Sequence, residues 1–236
     1  MNVCRQCNVE LTGNFCSNCG KPARVKRING QYLLSEIGSV LNFQKGILFT
    51  IKELLTNPGQ NIRGFINEDR NRLVKPIVFV VVCSLIYTVA IRLFQFEDGY
   101  VNFSFEDNSK TALLFSWIQN NYGYANILLA IFISAWIKIF FKKYGYNLFE
   151  ILILLCFVMG MQMLLFSIFG AFDGLIKLNL MPMAGLIGII YCSWAIGHFF
   201  DKTRTVNYWK AFLSYLLGMF TFSLSVWGLG FLIDLA

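Results

Sequence analysis

Two cysteine pairs, Cys4-x2-Cys7 and Cys16-x2-Cys19, stand eight residues apart near the start of the chain. A CxxC turn aims two sulfurs at one point, and two such turns provide the four thiolates that satisfy a tetrahedral zinc ion at about 2.3 Å. Gly13 and Gly20 fall where tight turns are needed, Gly20 directly after the second pair. Some twenty residues bury too little apolar surface to fold alone, so the metal has to supply the folding energy. Two disulfides are the competing reading, disfavoured by the reducing cytoplasm in which the charge pattern below places this segment. A redox-active CxxC would call for a βαβ surround that the sequence lacks. With four protein ligands a zinc ion keeps no open position, so Cys4, Cys7, Cys16 and Cys19 read as a structural zinc ribbon and not as a catalytic centre.

Other chemistry is sparse. There is one histidine, and the chain contains no HExxH, no GxSxG and no GxxxxGK[ST]. Ionisable groups near membrane depth are functional candidates by default. Here they are Lys138, Glu150 and His198, with the polar Gln162 deeper in its segment and Asp201 beside the histidine. These groups could converge at one level and form a polar path. Asp173 and Asp234 are expected to be solvated at span ends, and Cys83, Cys156 and Cys192 to act as small packing residues.

The elements that must position these groups are mostly apolar. Of the 236 residues, 56% are hydrophobic and 14% charged, outside the range of soluble domains. About 20 apolar residues cross about 30 Å of hydrocarbon, and five stretches qualify: Pro76 to Phe94, Tyr124 to Phe141, Leu148 to Phe172, Leu180 to Phe200 and Ala211 to Ile233. No cleavable signal peptide is expected, so the first stretch acts as a retained anchor. Glycines in the last three spans suit close helix packing, and Trp and Tyr near span ends suit interfacial belts.

Eleven of the 20 Lys and Arg residues precede the first span. Lys142 and Lys143 follow the second, and Lys202, Arg204 and Lys210 follow the fourth, whereas the connection after the first holds Glu97, Asp98, Glu106 and Asp107. This positive-inside alternation puts the N-terminus in the cytoplasm and, after five crossings, the C-terminus outside. The +7 net charge is thus mainly an orientation signal. Basic residues beside a membrane meet anionic lipid, and no nucleic acid is expected.

Three regions follow: the zinc ribbon (1–22), a basic hinge with an amphipathic membrane-surface region (23–75), and the five-span bundle (76–236). In the second, Ile37, Val40, Leu41, Ile47, Leu48, Ile51, Leu54 and Leu55 recur at helical intervals. Asn57-Pro58-Gly59 is expected to end that helix. A second segment then interleaves Ile62, Phe65 and Ile66 with Arg63, Arg70, Arg72 and Lys75, the four basic groups expected to meet lipid headgroups. This region lies either on the lipid surface or on the ends of the bundle. The connection 95–123 is expected to be a loop, with YVNFSF allowing a short strand.

CRQCNVELTGNFCSNCG, FQKGILFTIKELLTNPGQNIRGFI and the Asp69-Arg70-Asn71-Arg72 turn before Lys75-Pro76 together resemble an uncharacterised bacterial membrane family, domain of unknown function 3667. The likeness spans roughly the first 95 residues and implies no activity. Where the family has Gly-Lys-Arg, this chain reads Glu68-Asp69-Arg70. Cytoplasmic N-terminus, five spans and short exterior tail are also similar to the Yip-type membrane proteins, a likeness of fold alone.

The fold class expected is an all-α integral membrane protein: a five-helix transmembrane bundle with a small zinc ribbon and a pre-membrane amphipathic helix. The function expected is that of a non-enzymatic scaffold or adaptor in the bacterial inner membrane. Its expected partners are the bilayer, anionic lipids, an unknown protein held by the ribbon, and a second copy of the chain if the bundle forms a homo-oligomer. The alternative is a small transporter or channel using Lys138, Glu150, Gln162 and His198, and a membrane-embedded lipid enzyme comes third.

Overall fold

A computed structural model describes residues 3, 4, 7, 9, 13, 16–20, 46–96, 110–120 and 122–235. Two compact units divide the chain, Met1–Leu41 and Asn42–Ala236. Ile37, Val40, Leu41 and the YVNFSF stretch lie outside the described residues.

The second unit begins with two short helices, α1 (Ile47–Thr56) and α2 (Pro58–Asn67). Pro58 ends one helix and opens the next. Its ring removes an N–H that the first turn of α2 would leave unused, and its fixed φ suits the N1 position. The expected break at Asn57-Pro58-Gly59 is therefore a one-residue joint at Asn57 (φ −142°, ψ 63°).

Next come α3 (Pro76–Phe94), α4 (Lys110–Asn120), α5 (Tyr122–Phe140), a 3-10 turn (Lys142–Tyr144), α6 (Leu148–Ile176), α7 (Met181–Asp201) and α8 (Thr205–Leu235). Four of them are long and apolar enough to cross a membrane: Pro76–Phe94, Leu148–Ile176, Met181–Asp201 and Thr205–Asp234. Tyr124–Phe140 is a shorter apolar helix. The helix α4 occupies part of the stretch expected to be a loop. Its Leu113, Leu114, Trp117 and Ile118 recur at helical spacing, a signal too short to stand out beside the spans.

The centre of the bundle is α6, packed against α3, α5 and α7, while α8 packs against α4, α5 and α7. A capping box starts α6: Asn147 Oδ1 accepts from Glu150 N (2.9 Å), and Glu150 Oε2 accepts from Asn147 N (2.7 Å). At its far end Lys177 adopts a left-handed conformation, and Asp173 Oδ1 accepts from Leu180 N (2.7 Å). Asp173 thereby shapes the α6–α7 turn. Aromatic contacts fill the middle, with Phe157 beside Phe65 (5.4 Å between centroids) and Phe79 (5.7 Å). Among the described residues every buried side-chain N or O atom has a hydrogen-bond partner, which a bundle without access to water requires. Both α3 and α8 leave much apolar surface outside the unit, including Ile77, Leu85, Leu93, Phe220 and Leu232. So large an apolar exterior marks a surface made for lipid.

Candidate functional site

The first unit brings its four cysteines to one point. Their sulfurs all lie within 4.8 Å of one another, with Cys4–Cys19 at 3.5 Å and Cys7–Cys16 at 3.4 Å. A tetrahedron of sulfurs about 2.3 Å from a central ion has edges of about 3.8 Å, so small adjustments admit a metal. None of the seven cysteines is in a disulfide. The turns are those expected of CxxC knuckles: Cys4 N–H donates to Val9 O, Gly20 N–H donates to Cys16 O, both at 2.9 Å, and Gly20 has φ +68°. Glycine takes that left-handed conformation without steric penalty. Cys4 and Cys16 are buried and Cys19 is exposed. Backbone N–H groups of Cys19 and then Asn18 point at the Cys16 sulfur and hold its thiol below the ordinary thiol range, favouring the thiolate that binds metal. Among the described residues, these four cysteines are the set that can hold a metal ion there.

The second feature is the docking of α1 and α2 on the bundle. Gly59 N–H donates to His198 Nδ1 (3.1 Å), and Arg63 donates to the carbonyls of His198 (3.1 Å) and Phe199. These are among the last carbonyls of α7, which have no partner inside the helix, and a cation there also complements the helix dipole. Tyr191 donates its hydroxyl to Leu54 O (3.2 Å). Within the docked segment, Thr50 Oγ1 accepts from Val74 N (3.1 Å), Asn61 Nδ2 donates to Glu53 O (2.9 Å), and Arg72 pairs with Glu53 (2.8 Å). Ile62, Phe65 and Ile66 are buried. The apolar face of α2 thus packs on protein, and α7 is its main neighbour.

The basic residues expected at headgroups divide accordingly. Arg63 is committed to the end of α7 and Arg72 to Glu53, whereas Arg70 and Lys75 are exposed. The residues of the expected polar path each sit in their own surroundings. Lys138 donates to Tyr146 O, Glu150 closes the capping box, and His198 accepts from Gly59. Gln162 is buried, its Oε1 accepting from Tyr215 (2.9 Å) and Cys192 (3.2 Å). Cys192 therefore donates a hydrogen bond besides packing, and Cys83 is buried against the bundle core. Leu54 was legible only as part of an apolar stripe, Gly59 only as part of a helix break, and Tyr191 not at all; Gly59 reaches His198 and Leu54 reaches Tyr191 because Pro58 starts a second helix directly on α7.

The profile of a family described as a protein of unknown function (DUF3667) matches residues 44–88. That segment contains α1, α2 and the first part of α3, so the docked pair lies inside the matched stretch and the cysteine module outside it. No curated protein and no solved structure is significantly similar to the chain.

Proposed function

We propose that the chain is a five-span protein of the bacterial inner membrane whose cytoplasmic zinc ribbon engages a partner protein, so that it acts as a scaffold or adaptor without catalysing a reaction. The convergence of the Cys4, Cys7, Cys16 and Cys19 sulfurs carries this reading. An all-thiolate tetrahedral set suits zinc, and a closed structural site supplies folding energy to a small rigid module. The fifth crossing is α5, whose 19 residues rise about 28 Å, close to the hydrocarbon thickness. Lysine and arginine before α3, after α5 and after α7 favour a cytoplasmic N-terminus and an exterior C-terminus. Exposed Arg70 and Lys75 then meet anionic headgroups beside the entry of α3.

What favours the scaffold over a polar path is that Lys138, Glu150, Gln162 and His198 are each held by separate structural partners. The experiment is proximity labelling from the N-terminus in cells, comparing wild type with Cys16→Ser, together with solute flux in liposomes comparing wild type with Glu150→Gln and His198→Gln. The scaffold reading expects a labelled set that Cys16→Ser abolishes while membrane insertion persists, and no flux that the other variants alter. A labelled set indifferent to Cys16→Ser, or flux lost with Glu150 or His198, overturns it.

A further inference from the structure

At the end of the bundle that carries Lys142 and Lys202, a hollow of about 590 Å³ opens between the 3-10 turn and the α7–α8 connection. Lys143, Tyr144, Arg204, Thr205, Asn207 and Lys210 line it, together with Asp201. Three cations against one carboxylate leave the lining at +2.

The carboxylate is turned to its own loop. Asp201 Oδ1 accepts from Thr203 N (3.0 Å) and Thr203 Oγ1 (2.7 Å), and Oδ2 pairs with Arg204 Nε (3.2 Å). Arg204 spends one edge of its guanidinium there and keeps the terminal nitrogens for a second acceptor. Asn207 is buried, and its Nδ2 donates to Tyr144 Oη (2.8 Å) and to Asp201 O (3.2 Å). Tyr144 Oη thereby accepts one hydrogen bond and retains its own proton to donate. Thr205 opens α8, so first-turn amides and the positive end of the helix dipole border the same space. Lysine and arginine cations, a fixed phenol and helix amides are the donors that a phosphate takes.

Size and surroundings decide which phosphate. With 31 residues α8 rises about 46 Å, longer than the hydrocarbon by about 16 Å. Its last polar residue before the apolar run is Lys210, which puts the hollow at headgroup depth. From its rim, Val206 (59% exposed), Trp209 (68%) and Leu213 (46%) form an apolar stripe down the outer face of α8. We propose that this hollow holds the phosphate of an anionic glycerophospholipid, with the acyl chains lying along Val206, Trp209 and Leu213. A free phosphate shares the headgroup chemistry but gains nothing from the stripe. The assignment rests on the membrane reading above and is independent of the zinc ribbon.

The test is native mass spectrometry of the full chain in neutral detergent, titrated with dioleoylphosphatidylglycerol, with dioleoylphosphatidylcholine, and with inorganic phosphate. The expected result is one retained phosphatidylglycerol, much weaker phosphatidylcholine, and no displacement by excess phosphate. Lys143→Gln with Lys210→Gln weakens phosphatidylglycerol binding about tenfold, the loss of two charge-assisted contacts in a partly solvated site. Lys177→Gln, an exposed cation outside the hollow, leaves it unchanged. Thermal unfolding in the same detergent checks that the variants are folded, and each single lysine variant gives the same direction if the double variant is not. Equal binding of the two lipids, a double variant that binds like wild type, or displacement by inorganic phosphate overturns the proposal. A chain that stays monodisperse without detergent overturns the membrane reading and this proposal together.

Discussion

The joint between α2 and α7 leaves no room for a methyl group at Gly59. A Cβ there would sit 2.3 Å from the carbonyl carbon and oxygen of His198 and 2.5 Å from the Phe199 nitrogen. Carbon contacts settle at about 3.5 Å, and the obstructing atoms are backbone, so Gly59→Ala has to lift α2 by about 1 Å. That shift takes the 3.1 Å bond from Gly59 N–H to His198 Nδ1 out of range and loosens the Arg63 cap on α7. Overpacking costs about 1–3 kcal/mol, and the lost hydrogen bond with its buried acceptor about 1–3 kcal/mol more. Alanine's better helix propensity returns about 1 kcal/mol, leaving a net loss of about 1–5 kcal/mol. In a unit of this size that lowers the melting temperature by about 2–20 °C. Gly64→Ala is the matched control on the same helix, because a Cβ there meets only Glu68 Oε2 at 3.7 Å. The assay is thermal unfolding of purified protein in one detergent, with trypsin cleavage at Arg70 and Arg72 reporting release of the segment. A Gly59→Ala melting point matching wild type, or an equal drop in Gly64→Ala, would refute the reasoning.

Three further outcomes follow from the same geometry. Arg63→Gln removes the cap on α7 and costs about 1.5–3 kcal/mol, part of which Arg63→Lys recovers through the helix dipole; the melting series above measures both. Tyr215→Phe deletes the 2.9 Å bond to Gln162 inside the bundle and costs about 0.5–1.5 kcal/mol, so a loss above about 3 kcal/mol would assign that site a larger role. The Cys16 thiol is held below its ordinary value, so its thiolate stabilises the loaded module at neutral pH and that contribution is lost as pH falls through the lowered value. Zinc release followed with a chromogenic chelator should rise on acidification, and release that rises with pH contradicts this.

Four helices long and apolar enough to cross a membrane and the cysteine cluster could be read from sequence because each is local: an apolar run of span length, or two CxxC turns eight residues apart. The docking of α1 and α2 was one of two readings, since an apolar stripe says that a face is covered but not by what. The decision came from Gly59, Arg63 and Tyr191, whose partners lie more than 130 residues away in sequence or on the far side of that separation. Asp173 looked like a solvated span end and instead accepts from Leu180 N–H across a turn in which Lys177 and Asn179 are both left-handed. The grouping of Lys138, Glu150, Gln162 and His198 at one level was a projection along helices, and helix rotation gave each a separate set of neighbours.

Zinc K-edge X-ray absorption on the purified full chain, with metal content measured on the same sample, tests the central claim most directly. The account predicts one zinc per chain bound by four sulfurs at about 2.3 Å, and its loss in Cys16→Ser. A chain that binds no zinc, a shell containing nitrogen or oxygen, or full metal content in Cys16→Ser would contradict it.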